Sequence, residues 1–77
     1  MGMVTVRYFA SLRERLGRGE ERIDLPPGAT VGSIWLAVAP PGYRTQVLAA
    51  VNQEYSSFDR PLAAGDELAF FPPVTGG

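Results

Sequence analysis

The side chains that ordinarily carry chemistry are mostly missing from this sequence. It contains no cysteine and no histidine, which removes the thiolate nucleophile, sulfur ligation of a metal, the commonest general base and the commonest metal ligand. Carboxylates and hydroxyls remain, but their spacing does not gather them. Glu20-Glu21 and Asp66-Glu67 are sequence neighbours, and neighbours in a strand point to opposite faces, so neither pair converges on one substrate atom. Ser56-Ser57 has no histidine or lysine to activate it. Gly17-Arg18-Gly19 begins like a dinucleotide-binding turn, yet Arg22 stands where the third glycine belongs and the segment leads into a strand. This composition argues against a self-contained enzyme, a bound cofactor and a metal site.

Chemistry is expected instead at the end of the chain, where Phe71 is followed by Pro72-Pro73-Val74-Thr75-Gly76-Gly77. The prolines cannot continue a ladder, Val74 and Thr75 favour extension, and the glycines carry no side chain. Six extended residues reach about 20 Å, so the terminal carboxylate can stand clear of the body. With glycine at about 7% of residues, a closing doublet arises by chance in roughly one chain in two hundred. A frayed end is the plain alternative, and the stiff Pro-Pro base weighs against it. An α-carboxylate, ionised with a pKa of about 3.3–3.7, becomes reactive only when a partner enzyme turns it into a mixed anhydride or similar acyl donor. The bare backbone of Gly76 and Gly77 would let that acyl group enter a narrow tunnel. On this basis the chain is a substrate or a carrier.

Something must hold such a tail. The 77 residues, 45% hydrophobic and 19% charged, make one domain, expected over residues 1–71 with 72–77 as the extension. A chain this short buries only about 60% of its unfolded surface, so it depends on good patterning. Seven basic against eight acidic residues give a net charge of −1, without the positive field that nucleic acid requires. All seven basic residues are arginine, so no side chain can form a Schiff base or accept an isopeptide bond. The apolar stretches 34–39 and 47–51 fall far short of the ~20 residues that cross a bilayer. A soluble cytoplasmic protein with no membrane partner is expected.

Met3 to Phe9 alternates, predicting a strand with Val4, Val6 and Tyr8 inward. Ser11-Leu12-Arg13-Glu14 matches a capping box and Gly17 a C-terminal stop, predicting a short helix. Glu20 to Leu25 alternates again, ending at Pro26-Pro27-Gly28. Thr30 is the candidate N-cap of the main helix, with Val31, Ile34, Trp35 and Val38 at helical spacing before Pro40-Pro41-Gly42. Val47 to Val51 reads as a strand, Asn52-Gln53 as a turn, Tyr55 to Phe58 as extended and Glu67 to Phe71 as the last strand.

The order β-α-β-α-β-β-β predicts an α+β roll of the β-grasp plan: a mixed sheet of about five strands, packed on one main helix plus a short one, with the first and last strands adjacent at its centre. Alternation then places Leu68 and Phe70 with the valine face, and Phe9, Ala69 and Phe71 on the opposite face, near Tyr55. An aromatic cluster outside the core suggests an interaction surface, against the plain alternative that singly exposed apolar residues need no explanation.

The sequence resembles the small subunits of molybdopterin synthase, which are ubiquitin-like β-grasp sulfur carriers. The likeness lies in Val4 to Glu14, in Ala50-Val51-Asn52-Gln53-Glu54-Tyr55, and above all in the uninterrupted ending from Gly65-Asp66-Glu67 to Gly76-Gly77; only the segment between the main helix and Val47 looks short. The resemblance implies that an adenylating enzyme related to ubiquitin-activating proteins uses ATP to convert the Gly77 carboxylate to an acyl-adenylate. A persulfide donor then yields a thiocarboxylate. It further implies that the tail enters the large synthase subunit, in a heterotetramer, and gives its sulfur to a cyclic pyranopterin phosphate. Phe9, Tyr55 and Phe71, with Pro72, Pro73, Val74 and Thr75, would form the interface. A sulfur carrier for thiazole or tRNA thiolation, a ubiquitin-like protein modifier, and an inert interaction module remain open.

Overall fold

The computed structural model describes residues 2–43 and 46–73. The chain runs β1 (Met3–Tyr8), α1 (Ala10–Leu16), β2 (Glu20–Asp24), α2 (Val31–Val38), β3 (Leu48–Val51), β4 (Glu54–Ser56) and β5 (Glu67–Phe71). The strands form one sheet in the order β2-β1-β5-β3-β4. β1 and β5 are parallel at its centre, with Val6 opposite Leu68 and Tyr8 opposite Phe70, while the other neighbours are antiparallel. This is the β-grasp architecture that the patterning predicts.

Alternation decides which face is covered. Val4, Val6 and Tyr8 of β1, Ala49 and Val51 of β3, and Leu68 and Phe70 of β5 are buried, together with Leu12 of α1 and Val31, Ile34 and Val38 of α2. Trp35 closes one side of this core, its ring centroid 4.9 Å from Phe70 and 5.7 Å from Tyr43. Each fully buried Val, Leu or Phe contributes roughly 1.5–3 kcal/mol, so this single layer of contacts dominates the stability.

The two helices start differently. Thr30 Oγ1 accepts from the Ser33 amide at 3.2 Å and Ser33 Oγ from the Thr30 amide at 2.9 Å, a reciprocal cap that satisfies two otherwise orphaned donors of α2. The Val31 and Gly32 amides donate to the Arg60 and Phe58 carbonyls. At α1 the expected capping box does not form: Phe9 is the N-cap and no side chain caps the helix. The chain enters through an extended Phe9 and a left-handed Ala10 with φ of 55°, which starts the helix early and leaves Ser11 inside its first turn. Gly17 ends α1 as expected, in the left-handed region with its amide bonded to the Arg13 carbonyl. Strand β4 stops at Ser56, short of the predicted Phe58, because Phe58 turns inward to pack at 6.3 Å on Phe70.

Candidate functional site

The face of the sheet turned away from the helices is built from outward positions of all five strands. Ala50 of β3 stands between Tyr55 of β4 and Ala69 of β5, Leu48 stands opposite Phe71, and Arg7 of β1 lies between Ala69 and Glu20. Two alanines thus make a low floor flanked by larger groups. On one side the rings of Tyr55 and Phe71 meet with centroids 5.7 Å apart at 57°, Tyr55 being 77% exposed. On the other, Arg7 bridges Glu20 and Glu67, each at 3.2 Å. These ion pairs are open to water and contribute little stability; they bound the apolar half with fixed charge.

The structure brings Tyr55 and Phe71 together as alternation predicts, and Phe9 follows directly on the last residue of β1. Phe9, 45% exposed, is the last extended residue before α1, with its amide donating to the Phe70 carbonyl at 3.2 Å. Among the described residues it joins no aromatic pair. It lines a shallow groove of about 290 Å³ with Arg7, Tyr8, Arg13, Gly19 and Glu20, at the end of the sheet where β5 stops. Pro72 and Pro73, half-buried, follow directly. The expectations for Val74, Thr75, Gly76 and Gly77 fall outside the described residues.

Below the groove, Tyr8 donates its phenol hydrogen to Glu21 Oε2 at 2.5 Å, and Arg18 Nε reaches the same oxygen at 2.9 Å. Burial, and then Glu21, push the Tyr8 phenol well above its ordinary pKa. Partial burial would raise Glu21, but the hydrogen bonds from Tyr8 and Arg18 outweigh it and hold the carboxyl below its usual value. This group locks β2 to β1. Sequence reading missed it, since a Glu at an inward position of an edge strand carries no signal without its phenol partner. No group of three or more acidic side chains that could hold a metal occurs among the described residues, and no helix among them is long and apolar enough to cross a membrane.

A β-grasp domain with one helix-covered face, one open apolar face, and a proline-led extension from its central strand is a ubiquitin-like protein in class. The chain belongs to the ThiS family, whose model matches residues 6–77. It is 42% identical over 84 aligned positions to the molybdopterin synthase sulfur carrier subunit of Escherichia coli, covering 97% of this chain and all of that protein. Small archaeal modifier protein 1 of Haloferax volcanii is 36% identical over 84 positions, covering 92% of this chain and 97% of that one. Among solved structures, a putative molybdopterin converting factor subunit 1 from Pyrococcus furiosus superposes with a TM-score of 0.81 at 36% identity, covering 96% of this chain and all of its own.

Proposed function

We propose that the chain is the sulfur carrier subunit of a molybdopterin synthase. The observation that carries this is likeness at 42% identity along the whole of a carrier subunit, supported by a fold whose central strand leads straight into a Pro-Pro-Val-Thr-Gly-Gly ending. The Gly77 carboxylate is the reactive group. A ubiquitin-activating-like adenylyltransferase converts it to an acyl-adenylate with ATP, the terminal sulfur of a persulfide displaces the adenylate to form an acyl disulfide, and a thiol then reduces that disulfide to leave a thiocarboxylate. The tail then enters the large subunit of the synthase, in a heterotetramer, and passes the sulfur to cyclic pyranopterin monophosphate during molybdenum cofactor biosynthesis in the cytoplasm. The carrier supplies no acid–base side chain and has no activity alone. Its open face, with Tyr55 and Phe71 at the root of the tail and Phe9 at the rim, docks the large subunit.

The Haloferax modifier, at 36% identity, favours a second use of the same activated end, transfer of the Gly77 acyl group to an amine of another protein. Intact-mass measurement after incubation with the activating enzyme, ATP, a persulfide donor and a thiol reductant tests the first reading. Exchange of one oxygen for sulfur at Gly77 is the expected result, and an unchanged mass overturns it. A covalent adduct with a second protein, without sulfur in the product, would favour the modifier.

A further inference from the structure

All seven basic residues of the chain are arginine, and it has neither lysine nor cysteine. Two of these arginines, Arg7 and Arg13, line the groove beside Phe9, at the end of the sheet where β5 stops. Arg7 stands opposite Ala69 in the parallel ladder, and the Arg13 amide bonds to the Phe9 carbonyl. The six residues after Phe71 can reach about 20 Å. A side-chain amine at position 7 or 13 would therefore share a small volume with an activated chain end, at an effective concentration of order millimolar. A guanidinium, always protonated, is no nucleophile there. The Tyr8 phenol, buried at the same end, is engaged with Glu21 and held protonated, and no histidine is present to activate any other hydroxyl.

We propose that the lysine-free surface is a self-protection device: it denies the chain's own activated acyl end any side-chain amine or thiol, so that the acyl group is kept for an acceptor on another molecule rather than lost to a side chain of the carrier. This rests on the acyl-donor function proposed above. The reaction avoided is aminolysis. An amine nitrogen attacks the Gly77 carbonyl carbon and an amide bond forms. The bond to the leaving group breaks, the adenylate or thiolate departs with the electron pair, and the amine proton passes to solvent. A chain closed on itself in this way is lost as a carrier.

The test uses the full chain, acetylated at its N-terminal amine and bearing a 2-mercaptoethanesulfonate thioester on Gly77, followed by intact mass in dilute solution at about pH 9, where part of any lysine, with a pKa of about 10.4, is neutral. It needs no activating enzyme and no sulfur donor, so its failure is distinct from failure of the proposed function. The native thioester should give only the hydrolysed acid. Arg13→Lys, and separately Arg7→Lys, should give as the major product a monomer one water lighter than the acid, with the introduced lysine joined to Gly77 on peptide mapping. Arg60→Lys, beside Asp66 at the other end of β5, should give the acid alone. The proposal is overturned if both groove variants hydrolyse to the acid at the native rate, or if the native chain forms an internal linkage through one of its own side chains.

Discussion

Asn52 Nδ2 donates to Asp66 Oδ1 at 3.0 Å, and Asn52 Oδ1 accepts from the Glu67 amide at 3.0 Å, so one side chain fastens the β3–β4 turn to the head of β5. Asp66 Oδ2 in turn accepts from the Ala63 amide at 2.8 Å. The bond from Ala63 first, and then that from Asn52, hold the Asp66 carboxyl below its ordinary pKa against a small opposing effect of burial. A carboxyl with a depressed folded-state pKa stabilises the fold above its unfolded value, and that contribution is lost as pH falls through the folded value. Denaturant unfolding measured below about pH 4 should therefore show a shallower acid loss of stability in Asp66→Asn than in the native chain. Parallel acid limbs would mean that the carboxyl contributes nothing through its charge.

Removing the other half of the clamp acts at neutral pH. Asn52→Ala deletes two hydrogen bonds and puts alanine at a left-handed position with φ of 51°, so an equilibrium unfolding free energy lower by about 1–3 kcal/mol is expected. A loss under a few tenths would show that water replaces both bonds without penalty.

The contrast between the helix starts gives a paired test. Thr30→Ala breaks a formed reciprocal cap and should cost about 1 kcal/mol. Ser11→Ala breaks no capping bond and should stay within about 0.5 kcal/mol of native. Thermal melts of the two variants side by side decide it, and equal losses would contradict the description of α1.

The same contrast shows where the sequence was legible. Periodicity sufficed for the order of elements, the inward faces of β1 and β5 and the stripe of α2, because burial acts on every second or every third-to-fourth residue and leaves its mark in composition. Ser11 failed because the Ser-x-x-Glu pattern describes bonding partners, whereas the backbone at Phe9 and Ala10 decides where the helix begins. Asn52 could be read only as a turn residue. Its hold on Asp66, fourteen positions away, depends on β3 and β5 being neighbours, which is a property of topology. For Phe9, one residue beyond the end of β1, alternation offers a face but no separation from rings on other strands.

Tyr55 and Phe71 touch on the open face, and Tyr55 is largely free of the core. Tyr55→Ala and Phe71→Ala should each weaken binding of the synthase large subunit by roughly 1–4 kcal/mol. The double variant should lose less than the sum, because contacting residues are coupled. Titration calorimetry reads both effects, and native affinity in both single variants would exclude this face as the dock.

Deleting Gly77 removes the proposed reactive carbonyl from its place and leaves every residue of the described core in the chain. Sulfur loading or transfer should vanish with the melting temperature unchanged. Normal synthase activity from the truncated chain would refute the assignment of chemistry to the chain end.

β5 is held along both sides, by a parallel neighbour and an antiparallel one, and Pro72 follows its last residue directly. A molecular machine that grips the tail and tugs must therefore slide a whole row of ladder bonds at once, since none can be peeled open singly. The central strand acts as a mechanical anchor, letting the end be threaded, pulled and released with the body intact.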